Sequence, residues 1–460
     1  MKGKKHLLSL LISTTLLAGC AQTTVTKNKN VQPAFTVAAY NLSFDRGTFS
    51  QLTDELATSP SQQHQLVFAF QQGMLSGDNK QRAEKIIQIR NVAAAIQATR
   101  PHVLMMSEFN NDGTGDDTQA LRNFQKNYLS VGQFSDGLLG GERLAPLAYP
   151  FGESFSTNTG LNSGYDLDNN GKVALPGDAW GFGFYHGQYA FAVLSQFEID
   201  RENIRTFQQF KWKDLLGAQI PTITNCDSER YSIPDGMKCG DNWYSDEEWQ
   251  QMRLSSKNHV DVPVIISTNE GDKAVHLLMS HPTPPVFDTV TINNKLRNRD
   301  EIKFWHDYID GKPYFYDDSG KNGGLSEGAN FVIMGDLNAD PDAGDGFTET
   351  IGALLSHPSV NQQATTGQFV PTSSGGSQCY EGKECRTDNP YPARVTSTFG
   401  LRVDHVIPSN TLTITNSGVF WPALGELGRG LMNDKTVGKY GAGKDVSSDH
   451  RMVWIKASLN

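Results

Sequence analysis

The chain has 460 residues, of which 38% are hydrophobic and 20% charged, and a formal net charge of −10. That length can bury a sizeable core and, with no linker dividing it, fits one large domain or one domain with long insertions. The acidic balance excludes a protein that coats nucleic acid through a broadly basic surface, yet leaves room for a site where a divalent metal and a few local cations hold one phosphate.

At the N-terminus, Lys2, Lys4 and Lys5 precede an apolar run over residues 7–18 that is too short for a permanent membrane span, which predicts a signal peptide over residues 1–19. It ends in Leu17-Ala-Gly-Cys20, which resembles the bacterial lipobox. By that resemblance Cys20 carries lipid, residues 20–34 are the lipidated Cys and a flexible polar tether, and Ala21 in place of Asp fits sorting to the outer membrane of the cell envelope. Loss of residues 1–19, with Lys2, Lys4 and Lys5, takes the formal net charge from −10 to −13.

Beyond the tether, Val37-Ala-Ala-Tyr-Asn41 reads as a strand ending in an amide. Residues 78–99 read as a helix, with Asp78 and Gln81 as a capping box and Ile86, Ile89, Ala93 and Ile96 on one stripe. It delivers the chain to the strand Val103-Leu-Met-Met-Ser-Glu108. In the long segment 110–180, Asp166-Leu-Asp168-Asn-Asn170-Gly171 resembles the start of an EF-hand-type loop and would place a structural Ca2+, although position 12 is Gly177 and Asp178 arrives one residue late. A strand is expected over residues 187–194.

A second long segment, 205–255, carries Cys226 and Cys239. Once Cys20 is assigned to lipid, the even set Cys226, Cys239, Cys379 and Cys385 suggests two disulfides, and short loops favour Cys226–Cys239 and Cys379–Cys385. Trp243, Tyr244 and Trp249 read as filling a local core rather than stacking bases. Arg253 to His259 reads as a polar surface loop, with a phosphate grip as the rival reading. It precedes a strand over residues 260–266. Leu277-Leu-Met-Ser-His281 ends a further strand, and a helix over about residues 295–310 has Ile302, Trp305 and Ile309 on one face.

Phe331-Val-Ile-Met-Gly-Asp-Leu-Asn338 is the most informative stretch. A four-residue apolar run reads as a strand covered on both faces, and Gly335 lets the backbone turn as it leaves the sheet. Side chains alternate, so Asp336 and Asn338 point the same way, a hard anionic oxygen beside an amide. Asp340, Asp342 and Asp345 then read as an acidic turn capping a helix. Arg402-Val-Asp404 and Ser448-Asp449-His450 follow, before a last strand over 452–459.

Taken together, the segments ending in Asn41, Glu108, His281, Asp336-Leu-Asn338, Asp404 and Asp449-His450 resemble, in order, the motif set of the endonuclease/exonuclease/phosphatase superfamily of metal-dependent phosphoesterases. The resemblance covers residues 35–460 and implies a four-layer α/β sandwich of two mixed β-sheets packed face to face with helices outside. It implies Mg2+ or Mn2+ held by Glu108 with Asn41 and Asp449, and a His450 that contacts phosphate with its tautomer fixed by Asp404. Asp336 would activate water, Asn338 bind a phosphate oxygen, and His281 act as a second acid/base or phosphate contact; the choice of base among the carboxylates stays open. For Asp449 and His450, which precede the last strand, to meet residues that follow other strands, that strand must run antiparallel to some of them.

Three functions fit. The first is a monomeric, lipid-anchored phosphodiester hydrolase acting on DNA or RNA. The second is a phosphatase or phosphodiesterase of small phosphate esters, nucleotides or lipid headgroups. The third is a non-catalytic surface binding protein, against which the intact acidic and imidazole set speaks.

Overall fold

Alternation along the buried strands decides how the layers stack. In the computed structural model, which describes residues 33–381 and 389–459, Val332 and Met334 join one apolar core while Phe331 and Ile333 join another, so the strand they share is covered on both faces. The signal peptide, Cys20, most of the tether and Cys385 lie outside the described residues.

Twelve strands occur among the described residues: β1 (Ala34–Phe44), β2 (Val103–Phe109), β3 (Phe151–Ser154), β4 (Phe191–Ser195), β5 (Glu198–Ile199), β6 (Arg205–Thr206), β7 (His259–Thr268), β8 (Gly271–Ser280), β9 (Phe331–Asp336), β10 (Asp404–Pro408), β11 (Leu412–Val419) and β12 (Val453–Leu459). They form two open mixed sheets, one in the order β11-β12-β1-β2-β4-β3 and the other β10-β9-β8-β7-β5, with β6 also paired to β7. β1 runs parallel to β2, and β8 parallel to β9. β12 is antiparallel to β1 and β10 to β9, as convergence of the site segments requires.

The sheets meet through Val37, Ala39, Met105, Val262, Leu277 and Met334, all buried in one cluster. Helix Gly77–Thr99 covers the outer face of the first sheet, and its expected stripe of Ile86, Ile89, Ala93 and Ile96 is fully buried. Its N-cap is Ser76, without a side-chain cap bond, so the expected Asp78–Gln81 capping box does not form. Helix Asn293–Ile309 covers the second sheet with Ile302, Trp305 and Ile309, packing with Leu278, Ile333 and Ile407. The result is an α/β fold of two mixed sheets with outer helices.

The strand expected from residue 187 begins only at Phe191, because Gly187 and Tyr189 adopt positive φ of 103° and 59°. Cys226 and Cys239 are bonded as expected, with Cα atoms 5.6 Å apart. Trp243 and Tyr244 are buried with Trp212 in the second core, and Trp243 Nε1 donates to Leu167 O at 2.9 Å, which leaves neither ring free to stack a base. Asp340 caps no helix: its buried carboxylate accepts Arg402 N–H at 2.7 Å and Asn389 Nδ2 at 2.8 Å, bracing the approach to β10. No helix among the described residues is long and apolar enough to cross a membrane.

Ile302 has no exposed surface, so Ile302→Ala is expected to lower unfolding free energy by about 2–5 kcal/mol in denaturant titration. A loss below about 0.5 kcal/mol would show that the helix does not close the second core.

Candidate active site

Parallel pairing brings the C-terminal ends of β1 and β2 side by side, so Asn41 and Glu108 emerge together; β8 and β9 do the same for His281 and Asp336. β10 then returns antiparallel with Asp404 directly opposite Asp336, and the turn before β12 supplies Asp449 and His450. Gly335 makes the close approach possible: at its φ of 146°, an added Cβ would lie 2.0 Å from Ser280 O.

Asp336 is the hub. Its Oδ2 accepts Asn41 Nδ2 at 3.0 Å and lies 3.4 Å from His281 Nε2 and 3.7 Å from His450 Nε2, while Oδ1 accepts Asn338 N–H at 3.0 Å. Burial opposes its ionisation, but His450, His281 and the Asn41 amide outweigh burial and hold the carboxyl well below the usual range. His450 Nδ1 lies 2.9 Å from Asp404 Oδ2. Burial would disfavour the imidazolium; Asp404 and Asp336 reverse this and raise His450 well above its ordinary value. Burial pushes Asp404 up to about 6, against the pull of His450. His281 goes the other way, pushed down to about 4 by burial and then by Lys257, and its Nδ1 has no hydrogen-bond partner among the described residues. The two imidazoles on one carboxylate are therefore a charged one and a neutral one.

Asn41 donates from the same Nδ2 to Glu108 Oε1 at 3.1 Å, and its Oδ1 accepts Ser43 N–H at 3.0 Å. Asn41, expected among the metal ligands, thus bridges the two carboxylates through its amide nitrogen, while Oδ1 keeps a second lone pair beyond the one that Ser43 N–H uses. Ser43 Oγ donates to Asp449 Oδ1 at 2.6 Å and Ser448 Oγ to Asn41 O at 2.7 Å, which locks the last motif onto β1. Enclosure by protein, then Asp45 and Asp449, push the Glu108 carboxyl up to about 8. A carboxylate among other carboxylates, with hard oxygen donors and partial exposure, fits a divalent cation such as Mg2+ or Mn2+. Asp336, Asp404 and His450 also cluster within 4.8 Å, but a protonated His450 paired to Asp404 has no lone pair to offer a metal.

Asn338 Nδ2 donates to Pro282 O at 3.1 Å, joining the loops after β8 and β9. Ser43, Glu108 and Asn338 all hold positive φ, of 52°, 55° and 51°, so backbone strain gathers where the motif residues meet. All eight residues expected from the motif set therefore fall in one neighbourhood at one edge of the two sheets.

Sequence reasoning missed Asp45, four residues beyond Asn41, which faces Glu108 and Tyr189. It also misread residues 253–259. Far from a surface loop, residues 254–259 are buried, and Lys257 is 5% exposed with Nζ directed to Pro282 O at 3.4 Å, near Glu301, Asp336 and Glu108. The usable signal was a lysine set directly before an apolar strand. Away from this site, the carboxylates of Asp166, Asp168 and Asp178 lie within 4.8 Å of one another. Asp178, outside the expected ligand set, accepts Leu167 and Ala174 N–H at 2.7 and 2.6 Å, and Asn170 Oδ1 accepts Lys172 N–H at 3.0 Å. Backbone donors thus occupy much of this turn's oxygen set.

In imidazole NMR of the metal-free protein, His450 is expected to stay protonated well above pH 6.5 and His281 to stay neutral down to about pH 4. Asp404→Asn removes the carboxylate that supports the imidazolium, so the His450 midpoint moves down. Two histidines titrating together near 6.5 would sink this division of charge.

The sequence model of the Endonuclease/Exonuclease/phosphatase family matches residues 74–450, which leaves β1 and Asn41 before the matched span. Similar solved structures include an endonuclease/exonuclease/phosphatase from Beutenbergia cavernae (12% identity, 93% of this chain and 72% of that one, TM-score 0.38). An endonuclease/exonuclease/phosphatase family protein from Leptotrichia buccalis is similar at 13% identity over 92% of this chain and 100% of that one, TM-score 0.39. The human Nocturnin catalytic domain with bound sulfate is similar at 12% identity over 94% and 96%, TM-score 0.36. No curated protein matches the sequence. With the family model spanning most of the chain and two mixed sheets carrying the motif residues at one edge, this chain belongs to the endonuclease/exonuclease/phosphatase family and has its phosphoesterase fold.

Proposed function

We propose that this protein is an exported, lipid-anchored, divalent-metal-dependent phosphodiester hydrolase acting on nucleic acid as a monomer in the bacterial cell envelope. The observation that carries the reading is the geometry around Asp336, a buried carboxylate bonded by Asn41 and flanked by His281 and His450, with Asp404 on the far side of His450, an arrangement that favours one charged and one neutral imidazole. Phosphodiester hydrolysis needs a base for water, a donor to the phosphoryl oxygens and charge neutralisation. Asp336 takes the first role by orienting and polarising the water, its low proton affinity leaving the neutral His281 imidazole as the stronger proton acceptor beside it, and His450 with Asn338 take the second. His281, neutral and with an unpaired Nδ1, is placed as a further acid/base. Lys257 offers a buried ammonium to a phosphoryl oxygen.

Glu108 and Asp449, with Asp45 beside them, would hold Mg2+ or Mn2+, and Asn41 would orient Glu108. When bound, the cation would polarise a phosphoryl oxygen and offset the repulsion among these carboxylates. The lipobox-like Leu17-Ala-Gly-Cys20 supports the anchor and export. The net charge of −10 favours a second reading on substrate alone, small phosphate esters or nucleotides, since it offers little long-range attraction to a polyanion.

The test is hydrolysis by the chain from residue 21 with Mg2+ or Mn2+ and an EDTA control, on plasmid DNA, RNA, and bis- and mono-p-nitrophenyl phosphate side by side. Metal-dependent nicking of plasmid is expected. Cleavage of the small esters with DNA untouched moves the assignment to the second reading, and no cleavage of any substrate favours a binding protein. Glu108→Gln is expected to lower kcat/KM at least roughly a hundredfold and weaken Mg2+ binding. Unchanged hydrolysis and metal affinity would remove Glu108 from the metal site.

A further inference from the structure

Glu301 is a wholly buried carboxylate in the middle of helix Asn293–Ile309, assigned no role by the motif set. Its Oε1 accepts Ser256 N–H at 2.7 Å and Ser256 Oγ at 3.1 Å, and its Oε2 accepts Thr283 N–H at 2.6 Å. One carboxylate thus ties the residue before Lys257 to the residue two beyond His281. Neighbours on the same helix reinforce the clamp: Asn298 Nδ2 donates to Thr283 O at 2.8 Å, and Arg297 Nε to Leu254 O at 2.9 Å.

We propose that Glu301 is the positioning residue of this site, fixing the Lys257 and His281 loops on either side of Asp336 and supplying the negative charge that keeps the Lys257 ammonium in place for a phosphoryl anion. The inference rests on the hydrolase reading for its substrate, but not for its geometry. If only loop anchoring were needed, a buried anion would be a costly means, because desolvating a carboxylate is expensive unless a charge compensates it. Two buried cations compensate it: Arg297, one turn earlier on the same helix with its guanidinium bonded to backbone carbonyls, and Lys257, whose hydrogen bond to Pro282 O is long at 3.4 Å and which closes no ion pair among the described residues. The groups facing Lys257 are Glu301 and Arg297 from the helix, Asp336 from β9, Glu108 from β2 and His281 from the end of β8. Burial lowers the Lys257 pKa, and Glu301 leads the groups that oppose this.

The experiment compares the full chain with E301Q, E301D and the double variant E301Q/K257R. The readouts are Mg2+-dependent hydrolysis of bis-p-nitrophenyl phosphate across pH, affinity for inorganic phosphate by calorimetry, and thermal midpoint. E301Q turns a donor toward one of the two backbone N–H groups and removes the charge, so KM is expected to rise roughly tenfold or more. Less support for the ammonium moves the alkaline limb of kcat/KM to lower pH. Arg stays charged without a neighbouring carboxylate, so E301Q/K257R brings the limb back. E301D keeps the charge and shortens the reach, raising KM with the limb unmoved.

E301Q with wild-type kinetics and phosphate affinity overturns the proposal. So does a loss of activity that tracks the thermal midpoint alone, with the alkaline limb fixed. Should E301Q fail to fold, E301D with wild-type KM overturns it. If the wild-type chain hydrolyses no ester, the hydrolase reading fails by itself and phosphate affinity decides: weakened in E301Q supports the clamp, unchanged overturns it. A wild-type chain that neither hydrolyses the ester nor binds phosphate overturns both.

Discussion

A carboxylate buried to 2% exposure has to be compensated, and the manner in which Asp336 is compensated organises the rest of the molecule. Its partners come from both sheets: Asn41, which donates to it, from β1 and the His450 imidazole, 3.7 Å away, from the turn before β12 on one side, His281 from the end of β8 on the other. None can move away without leaving a charge unpaired in a dry place. The sheets are consequently pinned at one edge by polar contacts, and over the rest of their area by the aliphatic layer of Val37, Met105, Leu277 and Met334. The same geometry that satisfies Asp336 sets the protonation states around it, because His450 is flanked by two carboxylates and His281 by one carboxylate and an ammonium.

Positive φ at Ser43, Glu108 and Asn338 belongs to the same constraint. Ser43 and Glu108 are the next-to-last residues of β1 and β2 and Asn338 lies just past β9, and each must turn its backbone sharply while keeping its side chain, or its neighbour's, aimed at the shared pocket. Left-handed backbone at a non-glycine residue costs of order 1 kcal/mol or more, and is held only where surrounding contacts over-determine it. Here they do. Ser43 Oγ bonds Asp449, Asn41 holds the Glu108 carboxylate, and Asn338 is bound through both its N–H and its amide. Phe399, edge-on to the His450 ring at 5.5 Å, shields that imidazole while remaining partly exposed.

The second sheet has its own supporting layer. Trp305 Nε1 donates to Ser280 Oγ at 2.8 Å, directly before His281, and the polar face of the same helix holds the loops on either side through Arg297, Asn298 and Glu301. The helix thus contributes apolar contacts to the core and a row of polar anchors to the site, which gives the loops bearing Lys257 and His281 the rigidity of the sheet beneath them. The segment 205–255, closed by the Cys226–Cys239 bond, packs its tryptophans under this layer rather than presenting them to solvent.

Local pattern was enough to determine the strands that bring in Asn41, Glu108, His281 and Asp336, though not where β1 and β2 stop, together with the helix stripes, the Cys226–Cys239 pairing and the family, because each rests on periodicity, spacing or a short motif. Antiparallel return of the last strand followed as well, since Asp449-His450 precedes its strand while the other residues follow theirs. Only tertiary structure decided what depends on neighbours distant in sequence. Lys257 lies in a polar stretch that looks solvated until Gly181 packs on Ser256 and the helix carboxylate covers it; a Cβ on Gly181 would lie 1.8 Å from Ser256 O. Asp45, an ordinary turn acid by sequence, gains its meaning from facing Glu108, 63 positions later. The opposite charge states of His281 and His450 were likewise invisible. Sequence supplies the imidazole, but burial and the count of nearby charges, both set by the packing of two sheets, fix its proton.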